Sequence, residues 1–212
     1  MSRLIVEARV TTQRTLGVRL APDGSNDVEE KYLTGIAKDW AERIRTGHIP
    51  RVLVWESLTT IILKSIQYPL PATTLERKEC EGIMSVLMKM ALPCSGIVRS
   101  LPRALVFGPK HYQGLGIPCL FTLQQVDHIE RILRFCYAKD NLTGQLIRQS
   151  IEATKLEIGC SGSLFAQPFG IYGILATRTW VTASWRFLSR NGMQIKENDQ
   201  LLMPAFVEAG FK

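Results

Sequence analysis

Two periodicities run along this chain. At the start, Leu4 to Val10 and Thr15 to Leu20 are short apolar or β-branched runs, with Thr11-Thr12-Gln13 between them, which predicts a β-hairpin. Ala21-Pro22-Asp23-Gly24-Ser25 then places Pro, Asp and Gly in turn-forming order. Beyond it the pattern is helical. Asn26 or Asp27 can cap, Glu29 and Glu30 suit the positive end of a helix dipole, and Ile36, Trp40 and Ile44 recur on one face up to Gly47. Pro50 suits the start of a second helix, with Val52, Trp55, Leu58, Ile62 and Ile66 on its apolar face. Tyr68-Pro69-Leu70-Pro71 stops it.

Thr73 with Glu76 has the spacing of a capping box, and the helix it opens is expected to reach about Ala91, with Met84, Met88 and Met90 filling core space. The stretch from Leu92 to Leu120 carries four prolines and four glycines and reads as an ordered connector. Thr122 to Gln125 has the spacing of a second capping box, followed by a helix to about Lys139 with Val126, Ile129, Leu133 and Tyr137 facing inward. Leu142 to Ile158, closed by Gly159, is the next helix, and Cys160 to Gly173 is a second loop. Leu175 to Arg190 and a short segment from Asp199 to Ala209 complete the helices. The expected fold is mainly α: a helical bundle with a small N-terminal β-hairpin.

Composition narrows the function. The 212 residues carry a formal charge of +7, which favours an anionic partner. The distribution says more than the sum. No acid occurs between Glu81 and Asp127, where Lys89, Arg99, Arg103 and Lys110 stand, and none between Glu157 and Glu197, where Arg178, Arg186, Arg190 and Lys196 stand. The alternative reading of such blocks is a solvated basic surface. Cys80, Cys94, Cys119, Cys136 and Cys160 are odd in number and widely spaced, which reads as reduced thiols of a cytoplasmic or nuclear protein. His48, His111 and His128 do not join them at zinc-ligand spacing. MSRLIVEARV is too short and too charged for a signal peptide, and no apolar run is long enough for a transmembrane helix.

The glycine-rich stretch FGPKHYQGLGIPCL, Phe107 to Leu120, raises the question of a phosphate loop. It fails both known patterns. Leu115 stands where a Walker loop needs lysine, and Cys119 where a dinucleotide fingerprint needs its third glycine, while Pro118 removes an amide. Asp-x-Asp, His-Glu-x-x-His and Gly-x-Ser-x-Gly are all missing. Trp40, Trp55, Trp180 and Trp185 sit at helical spacing and read as core, with Trp185, beside Arg186, expected to be partly exposed.

Four stretches in order carry a resemblance: RTLGVRLAPDGS, WESLTTIILKSIQYPLPATTLERKEC, LPRALVFGPKHYQGLGIPCLFTLQQ and ENDQLLMPAFVEAGF. Together they resemble the region of a non-LTR (LINE-type) retrotransposon reverse transcriptase that follows its catalytic palm. The resemblance implies a palm-edge-like hairpin over 1–25, thumb-like helices over 26–95, and a connector with C-terminal helices over 96–212. It implies RNA or an RNA–DNA duplex as partner, with phosphate contacts from Arg99, Arg103, Lys110 and His111, and Arg14 and Arg19 near the primer end. No membrane partner is implied; the missing catalytic part of the same polyprotein is. Gln113 departs from the family by replacing the first glycine of a usual pair. The Tyr/Phe-x-Asp-Asp strand is absent, so the Mg ions a complete relative needs belong to the missing palm, and this chain is expected to hold no cofactor and to bind without catalysing. The competing expectation is a repurposed or decayed helical module that docks a protein and has no nucleic-acid role.

Overall fold

The computed structural model describes residues 12–136, 141–196 and 205–207. They form a mainly helical fold with a two-stranded antiparallel hairpin at the front. Contacts divide the chain into two units, Met1–Gln124 and Gln125–Lys212. The segment 96–124, grouped by sequence with the C-terminal helices, belongs to the first unit.

In the first unit, β1 (Gln13–Thr15) pairs with β2 (Val18–Leu20), so that Arg14 lies opposite Arg19. The turn is Leu16-Gly17, not the threonines expected, and the expected strand Leu4 to Val10 lies outside the described residues. Both turn residues have positive φ, 49° at Leu16 and 88° at Gly17, the backbone that matches the twist of a tight hairpin. Helix α1 (Asp27–Thr46) begins after Asn26 and ends at Gly47, with Asp27, Glu29 and Glu30 in its first turn and Arg43 and Arg45 in its last. It buries Leu33, Ala37, Trp40, Ala41 and Ile44 against a core shared with the helices that follow.

The second helical run is α2 (Arg51–Glu56), a π turn over Ser57–Ile62, and α3 (Leu63–Gln67). The hydroxyls of Ser57, Thr59 and Thr60 donate to the carbonyls of Val54, Trp55 and Glu56, alongside the wider turn. Its buried line is Val54, Leu58, Ile62 and Ile66, four residues apart throughout. That step is longer than the α-helical period, and the π turn accommodates it. Val52, expected inside, is 75% exposed on the opposite side.

Helix α4 (Arg77–Cys94) is capped by Glu76 and Glu79, not by Thr73. Pro69 and Pro71 draw Leu70–Ala72 into a 3₁₀ turn, and Thr73 is extended beyond it, its hydroxyl bonded to Leu70 and Gln124. The helix outruns its expected end at Ala91. Gly96, at φ +79°, closes it with a Schellman pair of bonds, Ile97 N to Leu92 O and Gly96 N to Pro93 O. Then come α5 (Arg103–Phe107), a 3₁₀ turn over Lys110–Tyr112, and α6 (Leu120–Phe135). Helix α6 starts two residues before the expected cap at Thr122. Its buried residues include Gln124, Gln125, His128, Ile129 and Ile132, while Val126 points out. The expected last turn of this helix, Tyr137 to Lys139, lies outside the described residues, and the Cys136 N–H donates to Ile132 O at the end of the helix.

In the second unit, α7 (Leu142–Ile158) has the boundaries expected. Asn141 Oδ1 accepts from Thr143 N at 2.9 Å, and Gly159 ends the helix at φ 66°. A 3₁₀ turn (Leu164–Ala166) and α8 (Phe169–Tyr172) occupy the second loop. Helix α9 (Trp180–Arg190) begins five residues later than expected, because Thr179 and Thr182 form its cap. Trp185 is fully buried, correcting its expected exposure. Its Nε1 donates to Gln167 O at 2.8 Å and its ring meets Phe169 edge-on at 4.8 Å. The final expected helix is also corrected: Ala205–Val207 (β4) is a strand, paired antiparallel with Gln194–Lys196 (β3), as its aromatic and β-branched residues favour.

Candidate nucleic-acid interface

The glycine-rich stretch folds back on itself. Each amide from Tyr112 to Ile117 donates to a backbone carbonyl: Tyr112 and Gly114 to Pro109, Gln113 to Lys110, Leu115 to Leu105, Gly116 to Gly108 and Ile117 to Val106. A phosphate loop needs free amides pointing at the ligand; here they are spent inside the chain. Gly114 is required by close approach, since a Cβ there would stand 2.1 Å from Gly108 O. The stretch is therefore a strap tied back to α5 through Leu105 and Val106.

What it positions is a groove beside α4. Arg77, Glu81, Ser85 and Lys89 are spaced four apart and so share one helix face. Facing them are the connector, α5 and the first turn of α6. Two adjoining hollows result. One, of about 150 Å³, is lined by Ser85 and Lys89 from α4, Arg99 and Arg103 from the connector side, and an apolar floor including Met88 and Val106. The other, of about 370 Å³, is lined by Arg77, Glu81, Arg103, Phe107 and Phe121. Arg103 belongs to both. The Arg77 guanidinium carbon lies 4.7 Å from the centre of the Phe121 ring.

The smaller hollow has no acid in its lining, and among the described residues Lys89, Arg99 and Arg103 form no salt bridge. Three cations converging without a counter-charge repel one another, and an anion placed among them relieves that repulsion.

The six residues singled out from sequence fare differently. Arg99 and Arg103 come together in this hollow. Lys110 is exposed on the strap, its stem against Gly116, and His111 is exposed with its ring 4.1 Å from that of Tyr112. Arg14 is exposed on β1. Arg19 is committed elsewhere: its Nη1 is 3.6 Å from the buried Glu29 carboxylate, its backbone N–H donates to the same oxygen at 2.9 Å, and its guanidinium lies 3.3 Å from the Tyr32 ring centre. Lys89 and Arg77 were not singled out from sequence as contacts. The four-residue row on α4 was the signal that could have found them.

The groove also contains two thiols. Cys80 and Cys119 line the larger hollow, and burial first, then Cys119 and Glu79, pushes the Cys80 thiol up to about 12. It is a protonated, unreactive group at neutral pH. Among the described residues, no three His, Cys, Asp or Glu side chains come together to hold a metal, and no helix is long and apolar enough to cross a membrane. No family model, curated protein or solved structure matches the chain.

Proposed function

We propose that this chain binds the phosphate backbone of nucleic acid without catalysis, as the palm-edge, thumb and connector region of a LINE-type reverse transcriptase would. The observation that carries the reading is the acid-free hollow where Lys89, Arg99 and Arg103 converge. Its cations come from two separate stretches of chain, α4 and the connector, so they gather only on folding. Gln113 adds support for the resemblance: it stands at φ 62°, a conformation suited to the glycine that relatives carry there.

The test is anisotropy of a labelled RNA–DNA duplex titrated across salt. Three phosphate contacts should give a slope of log Kd against log salt of about 2 to 3. The Lys89→Gln, Arg99→Gln and Arg103→Gln triple variant should flatten it. Absence of binding even at low salt would overturn the reading. In that event the protein-docking alternative gains, and it too has an observation in its favour: Val52, Ile61 and Tyr68 are exposed along α2, the π turn and the residue after α3.

A further inference from the structure

We infer that the larger hollow receives a single unpaired nucleobase while the adjoining hollow holds that strand's phosphate, so that the groove selects single-stranded over duplex nucleic acid. This rests on the reading above and adds the class of ligand. The two hollows differ in chemistry. The smaller has cations and a serine and no acid, which suits a phosphate. The larger includes the Glu81 carboxylate, which repels a phosphate but accepts a hydrogen bond from the exocyclic amine of a base. Its remaining lining includes two aromatic side chains, Phe107 and Phe121, and apolar Met84 and Leu120. Aromatic rings stack on bases regardless of sequence. Arg77, already over Phe121, adds a planar cation of the kind that stacks on bases. At about 370 Å³ the hollow is within the range of small-ligand sites, roughly 300 to 1,000 Å³. Arg103 lines both hollows, as a residue spanning a base and its own phosphate must. A base inside a duplex is stacked and cannot enter without being extruded, so selection for an unpaired strand follows from the shape of the site.

The experiment compares a labelled 12-nucleotide RNA with the same strand annealed to its DNA complement, using the full chain. Phe121→Leu and Phe107→Leu keep apolar bulk and remove the rings. Each should weaken binding of the single strand by about tenfold and leave duplex binding unchanged. Arg99→Gln should weaken both ligands alike. Circular dichroism of each variant separates loss of a ring from loss of the fold, and Arg77→Gln, a change at an exposed residue, repeats the test without touching the core. If the protein binds both ligands equally and neither ring variant alters the ratio, the base pocket is wrong and the phosphate reading survives. If neither ligand binds at low salt, both fail together.

Discussion

The phenol of Tyr68 donates a 2.8 Å hydrogen bond to the carbonyl of Leu16, tying the end of α3 to the tip of the hairpin. Leu16 needs that tie. It is a bulky residue at φ 49°, where a Cβ is strained, and its side chain is 86% exposed, so no packing offsets the strain. Tyr68 also lies against Gly17, whose added Cβ would sit 3.5 Å from its ring. Tyr68→Phe should therefore loosen the hairpin, at a cost of about 0.5–1 kcal/mol. Leu16→Asn should tighten it by about 1 kcal/mol, since Asn tolerates the left-handed region. Hydrogen exchange at the β1 and β2 amides reads both changes, which should have opposite signs.

The strap makes a second pair of opposed expectations. Gly114→Ala would drive a methyl carbon into the Gly108 carbonyl at 2.1 Å, and only backbone movement can relieve it. The expected loss is about 3 kcal/mol. One residue earlier, Gln113→Gly should stabilise by about 0.5 kcal/mol, because relief of the strain at φ 62° exceeds the added chain entropy. Urea denaturation of the two variants distinguishes them by direction alone. If Gly114→Ala unfolds at the wild-type midpoint, the close approach is not there in solution.

Local signals in the sequence carried far, and failed where partners were distant. Asn141 and Gly159 bracket α7 as expected because a cap and a left-handed stop act within one turn. Helix α6 was found but its inner face was misread. Its buried positions include Gln124, Gln125 and His128, and a hydrophobicity pattern turns polar residues outward. Gln124 is buried because its amide bonds both the N–H and the carbonyl of Leu75, a contact no local pattern reveals. The same limit applied to Glu29. It has the position of a helix-dipole acid, yet it is buried against Arg19. In the candidate site, Arg99 and Arg103 were legible from the acid-free block. The row on α4 offers Arg77 as well, but its pairing with Phe121 is not legible, since only the fold brings the two together.

The Cys80 thiol gives stability a pH dependence of known sign. Its folded value, about 12, lies above the ordinary 9.0. Between those two values the unfolded chain has released the proton and the folded chain has kept it. Stability is therefore unaffected below the ordinary value and falls as pH rises through the window, by up to about 1.4 kcal/mol per pH unit. Moving from about pH 8 to about pH 10, the wild type should lose about 1.4 kcal/mol more than Cys80→Ala. Parallel losses in the two proteins would show that burial does not hold the proton.

Arg19 separates folding from binding. Its guanidinium is the charge partner of Glu29, a carboxylate only 1% exposed, while Arg14 across the ladder forms no ion pair among the described residues. Arg19→Gln removes the ion pair and leaves that carboxylate with the hydrogen bond from the backbone N–H of residue 19. The cost should be about 2 kcal/mol, below the usual range for a broken buried pair because Arg19 is itself 24% exposed. The variant's salt slope for nucleic acid should be that of the wild type. Arg103→Gln should do the reverse, lowering the slope by about 1 while leaving the denaturation midpoint in place. Measuring both quantities on both variants assigns each arginine. A reduced slope for Arg19→Gln would place the hairpin in the nucleic-acid path, and a lowered midpoint for Arg103→Gln would make that residue part of the scaffold.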